Sequence, residues 1–384
     1  MKLTGLAQNS HDLSLLKNSG FTEVILGMRE YSRFGRLDPQ TYFKLAGDAT
    51  RLGLKVIFDW DILMTEDIFQ KTIPEIPVYL ELADSLRVQD PGAFHWALTN
   101  TTLPVQFIAE SGNHNLEALK GWCEAAGDRM ERIVLSIELS RDSIREYCEK
   151  LLVPCELLGL GRILLFYSPR SLLSPLNPEK IGVNEDIEAL GESEESPHKG
   201  FPVLENRHGT FMFHIKEFCL IDYAQDLKSL GLSWLRIDQR FGEKNFTAEA
   251  VKVVNREAMF ENFKAEYPQE LMRGFYHVNK SDVLFPKLKN MRLQNRSGDY
   301  LGEVLEAEKG SHLAIMIKNH KGMKVGDKFQ IVHPKGQIFE GEVHSLRNVN
   351  LEEVSAIPAD ELALIPFING VWVKSQLFLI KHFE

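Results

Sequence analysis

The segments LKVIFD (Leu54–Asp59), VQFIAE (Val105–Glu110) and RIVLSIE (Arg132–Glu138) decide the fold class. Each is a short apolar run that ends in an acidic residue, and stretches with the 3.6-residue period of an amphipathic helix lie between them. Apolar runs that alternate with helices indicate parallel strands that are buried on both faces. The sequence therefore predicts an α/β fold built on a parallel sheet.

The same alternation continues on both sides of these segments. Helices are predicted after Asp38, an N-cap that Pro39 follows, and after the expected N-caps Asn115 and Ser140. Further strands are predicted at Glu23–Gly27, Ser85–Val88, Cys155–Leu160, Thr210–Lys216 and Ser233–Asp238, and one long helix at Phe246–Tyr267. Strands and helices in this order favour a distorted TIM-like parallel barrel over residues 1–285.

Two changes of pattern mark the remainder of the chain. Pro175–Pro197 is polar and acidic, which predicts a surface loop within the barrel. From about Leu288, short strands alternate with Gly and Pro turns, at Tyr300–Leu305, His312–Ile317, Lys328–Val332 and Gln337–Val343. They predict a small antiparallel β-barrel over residues 286–384, with the domain boundary near Val283–Asn290.

Composition restricts the class of function. The 384 residues carry a net charge of -10, which counts against broad, non-specific binding of nucleic acid but leaves room for a local basic patch. No apolar run reaches the ~18 residues of a membrane span, and the N-terminus lacks the apolar region of a signal peptide, so a cytoplasmic protein is expected. The four cysteines are far apart, which favours buried free thiols over a disulfide framework.

Polar residues gather where the predicted strands end, which is where a parallel barrel places its chemistry. The candidate ligand-binding residues are Arg33, Arg36, Asp59, Asp61, Glu110, His114, Glu156, Arg162, Tyr167, Arg170, His214, Asp238 and Arg240. Acids, arginines and a histidine on one rim are typical of a site for an anionic or polar ligand.

Each candidate also has a structural explanation. Asp59 and Asp61 are expected to pair with arginines in that case, and His214 to be a core histidine. A metal site of His114 and His214 with Asp59 or Glu110 is an alternative that the spacing neither supports nor excludes. We predict no metal and no cofactor. Because the sequence has no Walker loop, GxGxxG, HExxH or GxSxG motif, catalytic residues are left unassigned.

The segment Glu156–Ser174 (ELLGLGRILLFYSPRSLLS) resembles the signature segment of the U-32 peptidase family. The family pattern is matched at Glu156, Gly161, Tyr167, Ser168 and Arg170, whereas Leu164 and Ser171 occupy its two cysteine positions. Similar segments are Glu23–Arg36, Asp90-Pro91-Gly92, Gly209–Asp222, Leu235–Arg240 and Tyr300–Val343. The resemblance therefore extends over nearly the whole chain.

The resemblance implies a distorted parallel barrel followed, in many members, by a small β-barrel. Some members are collagenase-like proteases, and others take part in hydroxylation of RNA bases or of a quinone precursor and carry an iron–sulfur cluster on four cysteines. Because Leu164 and Ser171 replace two of those cysteines and Pro175–Pro197 contains none, loss of the cluster is expected. Arg170 is expected to hold a carboxylate or phosphate beside Asp238 and Arg240.

Three functions follow as expectations. The first is a cluster-free member of the family that binds a polar or anionic ligand at the barrel rim. The second is an accessory protein for hydroxylation of RNA or of a quinone precursor, whose partner is another family member or an RNA. The third is an active collagenase-like peptidase.

Overall fold

The structure is a computed structural model, and it describes residues 1–110, 115–176, 186–192, 199–242, 245–277, 299–333 and 337–380. The chain divides into two compact units, Met1–Lys280 and Ser281–Glu384. The predicted boundary near Val283–Asn290 lies outside the described residues.

The described residues of the first unit form twelve strands. They are β1 (Lys2–Gly5), β2 (Glu23–Gly27), β3 (Lys55–Trp60), β4 (Ser85–Val88), β5 (Val105–Ile108), β6 (Met130–Val134), β7 (Cys155–Ser168), β8 (Ile187–Glu192), β9 (Lys199–Asn206), β10 (Gly209–Cys219), β11 (Trp234–Ile237) and β12 (Leu271–Met272). Strands β2 to β7 pair in parallel in chain order, and β11 pairs in parallel with both β7 and β1. A parallel bridge between Leu6 and Ile25 connects the end of β1 to β2, so these eight strands surround one interior. The predicted α/β barrel class is confirmed.

The helices pack their apolar faces on these strands. They are α1 (Ser10–Asn18), α2 (Pro39–Arg51), α3 (Glu66–Thr72), α4 (Ile76–Leu80), α5 (Pro91–Asn100), α6 (Leu116–Ala126), α7 (Arg141–Lys150), α8 (Ala224–Ser229), α9 (Thr247–Val254) and α10 (Phe260–Glu266). The predicted N-caps Asp38, Asn115 and Ser140 are confirmed, since each side chain accepts a backbone N–H of its helix. In the part of the chain that the structure describes, no helix is long and apolar enough to span a membrane.

The prediction that Thr210–Lys216 is the seventh barrel strand is wrong. Strand β7 continues beyond the barrel to Ser168, and β10 returns along it in antiparallel register, with Phe213 opposite Leu164. Strand β1 takes the vacated place in the parallel ring. Its four residues, KLTG, are too few and too polar to give a strand signal in the sequence.

Two other sequence predictions need correction. Pro175–Pro197 is not a loop throughout, because Ile187–Glu192 forms β8 and pairs with β9. Ile187 is buried while Glu188 and Glu192 are exposed, so these two glutamates lie on the solvent side of the strand. The long helix predicted at Phe246–Tyr267 is two helices, α9 and α10, separated near Arg256, whose φ is +63°.

Ion pairs fill part of the barrel interior, where apolar side chains usually pack. Arg132 donates to Glu23 at 2.6 Å and to Glu156 at 3.0 Å, and Arg87 donates to Glu156 at 2.6 Å. All four side chains are at most 1% exposed. Burial opposes ionisation of Glu156, but the two guanidinium groups outweigh it and lower its pKa to about 2. We refer to Glu23, Arg87, Arg132 and Glu156 as the interior network.

The second unit is antiparallel. Its strands are β13 (Tyr300–Glu308), β14 (His312–Ile317), β15 (Met323–Lys324), β16 (Lys328–Val332), β17 (Ile338–Glu342), β18 (Ala356–Ile357), β19 (Leu362–Pro366) and β20 (Gln376–Leu379). Six of them form a sheet in the order β17-β16-β20-β13-β14-β19, with an apolar core of its own. In this sheet, the four strands predicted from the sequence are present, and β19 and β20 are the two that were not predicted.

Candidate functional site

A cavity of about 380 Å³ lies at the carboxyl ends of the barrel strands. This is the end at which TIM-like barrels bind their ligands. Eight residues of the predicted set line it: Arg33, Asp59, Asp61, Glu110, Arg162, His214, Asp238 and Arg240. Aromatic side chains, among them Phe213 and Phe241, form an apolar wall. The cavity therefore combines a charged surface with an apolar one.

A tight turn after β2 brings Arg33 to Asp61. The Arg33 backbone N–H donates to Asp61 Oδ1 at 2.6 Å, and its Nε donates to Oδ2 at 2.9 Å. The turn requires glycine at Gly35, since a Cβ there would lie 2.2 Å from the carbonyl oxygen of Met28. Burial opposes ionisation of Asp61, but Arg33 and then Arg240 outweigh it, so the pKa of Asp61 lies below its usual value.

Asp59 lies at the end of the same strand in a different environment. Its carboxylate accepts a hydrogen bond from the Ser32 hydroxyl at 2.6 Å, and the residue is 2% exposed. Burial and the neighbouring charge of Asp61 raise the pKa of Asp59 to about 6, against the opposing effect of Arg240 and Arg87. Asp59 is thus a carboxyl group whose protonation changes near neutral pH.

Two further acids of the cavity are held by arginine. Arg240 donates through Nη2 to Asp238 Oδ2 at 2.8 Å, and its Nε lies 3.0 Å from Oδ1. Arg236 donates to Glu110 at 2.5 Å. Burial opposes ionisation of Asp238, but Arg240 outweighs it and the pKa of Asp238 is lowered. These two pairs are compensated within the protein.

Arg162 is the exception among the arginines of the cavity. Arg33, Arg87, Arg236 and Arg240 each have a carboxylate within 3 Å. The nearest carboxylate that the structure places beside Arg162 is Glu217, at 4.0 Å, and burial raises the pKa of Glu217. The Arg162 guanidinium lies 4.7 Å from the centre of the Phe241 ring, and 27% of its side chain is exposed. Its charge is therefore the least compensated of the five.

Five predicted site residues are not among the residues that line the cavity. Glu156 belongs to the interior network, and Tyr167 donates through its hydroxyl to the carbonyl of His208. Arg36 and Arg170 are exposed, and His114 lies outside the described residues. The expected grouping of Arg170 with Asp238 and Arg240 is wrong. Arg170 follows the end of β7, eight residues beyond Arg162, and an extended strand advances ~3.3 Å per residue.

Two other polar residues of the cavity engage backbone groups. Ser136 Oγ accepts the backbone N–H of Glu138 at 3.2 Å, and His214 Nδ1 accepts that of Lys216 at 2.9 Å. His114, one member of the alternative metal site, is not described. The described residues contain no group of three His, Cys, Asp or Glu placed to hold a metal ion.

Sequence reasoning missed Arg87 and Arg236, which also line the cavity. Both lie inside buried strands, in SLRV and WLRI, not at strand ends. An arginine within an apolar strand must be paired when it is buried, and that signal was available in the sequence.

The first unit is therefore an α/β barrel with a charged cavity at the carboxyl ends of its strands. Residues 8–283 match the family model of peptidase family U32, and the chain belongs to that family. No significant match to a curated protein is found.

Solved structures give low similarity. The U32 peptidase Mk0906 is 13% identical, with a TM-score of 0.40, over 62% of this chain and 92% of that one. Thiamine phosphate pyrophosphorylase from Pyrococcus furiosus is 10% identical, with a TM-score of 0.36, over 66% of this chain and 94% of that one.

Proposed function

We propose that this protein binds a small anionic ligand in the cavity and does so without an iron–sulfur cluster. The observation that carries the proposal is the charge of Arg162, which faces the cavity with its nearest described carboxylate 4.0 Å away. A planar guanidinium binds a carboxylate or a phosphate through two parallel hydrogen bonds. A bound anion would pair with the one arginine, of the five that line the cavity, that has no described carboxylate within 3 Å.

The surroundings of Arg162 favour a carboxylate with an apolar body. The guanidinium lies beside the rings of Phe241 and Phe213, at 4.7 and 5.6 Å from their centres. Leu164 and Ile163 also line the cavity on the same strand. Apolar walls with a few placed polar groups are typical of pockets for small organic ligands.

The cysteine chemistry supports the cluster-free part of the proposal. An iron–sulfur cluster is held by thiolates, and Leu164 and Ser171 stand at the two signature positions. All four cysteines are described, and each is in or against the apolar core of the barrel unit: Cys123, Cys148, Cys155 and Cys219. Burial raises the pKa of the Cys219 thiol to about 12, which opposes the thiolate form that binds iron. These residues do not fit a four-cysteine cluster.

A thermal-shift screen with small carboxylates and phosphates tests anion binding. We expect at least one aromatic or aliphatic carboxylate to stabilise the wild type by about 1 kcal/mol or more at several times its Kd. Arg162→Gln should abolish that stabilisation, because it removes the guanidinium and its charge while it keeps a polar side chain.

Arg170→Gln is the matched control. It makes the same charge change on the exposed arginine just after the same strand. The control should respond to the anion as the wild type does. If no anion stabilises the wild type, or if both variants respond equally, Arg162 does not bind a ligand and the proposal fails.

Peptide hydrolysis is the second candidate function, and membership of a peptidase family favours it. Zymography on denatured collagen tests it directly. We expect no cleared band, since His214 Nδ1 and Ser136 Oγ each accept a backbone N–H and do not bond to one another. A cleared band that Arg162→Gln removes would assign the cavity to peptide cleavage. The accessory role with a protein or RNA partner stays a prediction.

A further inference from the structure

We propose that Asp59 is an acid–base group of the cavity, which takes up a proton when an anion binds and can pass that proton to the ligand. This inference rests on the proposed anion binding and adds the residue that handles protons. Asp59 is a buried carboxyl group that takes no part in the ion pairs described for the cavity.

The contacts of Asp59 differ from those of three other acidic residues of the cavity. Asp61, Glu110 and Asp238 each accept a hydrogen bond from an arginine side chain at 2.5–2.9 Å. Asp59 accepts its hydrogen bond from the hydroxyl of Ser32 instead. A hydroxyl stabilises a carboxylate far less than a guanidinium does, and it also accepts a bond from a protonated carboxyl. The site therefore accommodates both protonation states of Asp59.

The polar and charged groups around Asp59 come from four elements. Asp61 directly follows its own strand, Ser32 lies in the turn after β2 with Arg33 next to it in sequence, Arg87 is its register partner on β4, and Arg240 follows β11. Each arginine is already committed, Arg33 to Asp61, Arg87 to Glu156 and Arg240 to Asp238. Of the charges named here, that of Asp61 is the one that opposes ionisation of Asp59.

An added anion strengthens this effect. Burial and Asp61 already raise the pKa of Asp59 to about 6. A second negative charge in the same enclosed cavity disfavours the carboxylate further, so the protonated fraction of Asp59 increases on binding. Binding and proton uptake are then linked.

The proton transfer itself is balanced. The O–H bond of protonated Asp59 breaks, and a new O–H or N–H bond forms on the ligand. Asp59 becomes a carboxylate, and the charge of the ligand increases by one. The reverse step regenerates the acid. No oxidant, reductant or metal enters the step.

Isothermal titration with benzoate between about pH 5.5 and pH 7.5 tests the inference. Benzoate is largely ionised over this range, since carboxyl groups of this kind titrate near pH 4, so a pH dependence belongs to the protein. We expect binding to tighten about tenfold from the higher to the lower pH. We also expect net proton uptake at the higher pH, read from the difference between buffers of unlike ionisation enthalpy.

Three variants assign the proton to Asp59. Asp59→Asn should bind benzoate with nearly pH-independent affinity. Ser32→Ala, which keeps the carboxyl and removes its donor, should move the pH dependence to higher pH. Asp67→Asn makes the same charge change at an exposed position of α3 and should behave as the wild type.

The outcomes separate this inference from the proposed function. If benzoate binds the wild type without proton uptake, or if Asp59→Asn keeps the pH dependence, the inference is wrong and anion binding stands. The wild-type proton uptake decides this even if a variant does not fold. If benzoate binds neither the wild type nor Arg162→Gln at any pH, both proposals fail.

Discussion

The interior network and the cavity contain the same types of charged residue, but the charges are fully paired in the network and only partly paired in the cavity. In the interior network, Arg87 and Arg132 satisfy Glu156 from two sides, and Glu23 satisfies Arg132. In the cavity, Arg162 lacks a close carboxylate and Asp59 lacks a close arginine among the described residues. Both regions lie inside one barrel, so burial alone does not explain the difference.

The difference separates two uses of buried charge. A closed set of ion pairs has no charge left for a ligand, and its contribution is to fix how the strands pack. An incomplete set retains a cation and a titratable acid, and both are available to a small molecule. Substitutions should therefore affect stability in the interior network and ligand binding in the cavity.

Glu156→Gln should have the largest effect on stability. It leaves Arg87 and Arg132 buried with Glu23 as the remaining acid of the network, and breaking a buried ion pair costs about 3–5 kcal/mol. Urea unfolding measures the loss. Glu146→Gln, which disrupts an exposed pair with Lys150, should cost less than about 0.5 kcal/mol. Equal losses for the two variants would remove the distinction between the regions.

Asp59→Asn should have the opposite sign and depend on pH. Since folding raises the pKa of Asp59 to about 6, the ionised carboxyl destabilises the wild type above that pH. This penalty decreases as the pH falls through 6 and is absent below about pH 4, where the group is protonated in both states. We compare the free energy of unfolding of Asp59→Asn with that of the wild type. Their difference, variant minus wild type, should be about 3 kcal/mol higher at pH 7.5 than at low pH. A pH-independent difference would show that Asp59 is not destabilised by ionisation.

Arg162→Gln should change the stability of the ligand-free protein least, within about 0.5 kcal/mol. The guanidinium is partly exposed, and its nearest described carboxylate is 4.0 Å away. Chemical denaturation without anions measures this. A loss close to that of Glu156→Gln would place Arg162 in a structural ion network and would end its role as the ligand-binding cation.

The sequence predicted those strands and helices of the barrel whose signals come from neighbouring residues in the chain. Apolar runs such as Ile57 and Phe58 in β3 give a strong strand signal, and caps such as Asp38 mark helix starts by their own hydrogen bonds. Strand β1 was missed because its place in the barrel depends on pairing with β11, more than two hundred residues away. Long-range pairing of so short a strand leaves no local pattern.

The site was predicted in part for the same reason. Asp59, Asp61 and Asp238 directly follow apolar runs, so their place at the strand ends is readable. Arg162 and Arg170 both follow the same apolar run, and the sequence analysis predicted that Arg170 would hold the anion. The extension of β7 into an antiparallel pair with β10 decides between them, and this pairing joins two strands that have β8 and β9 between them in the chain.

Anomalous scattering from crystals soaked with 4-bromobenzoate tests the central claim most directly. We predict a bromine peak in the cavity beside Phe213 and Phe241, with the carboxylate about 3 Å from the Arg162 guanidinium. Crystals of Arg162→Gln should show no peak there. A peak only outside the cavity in the wild type, or the same cavity peak in the variant, would contradict the claim that Arg162 makes this cavity an anion site.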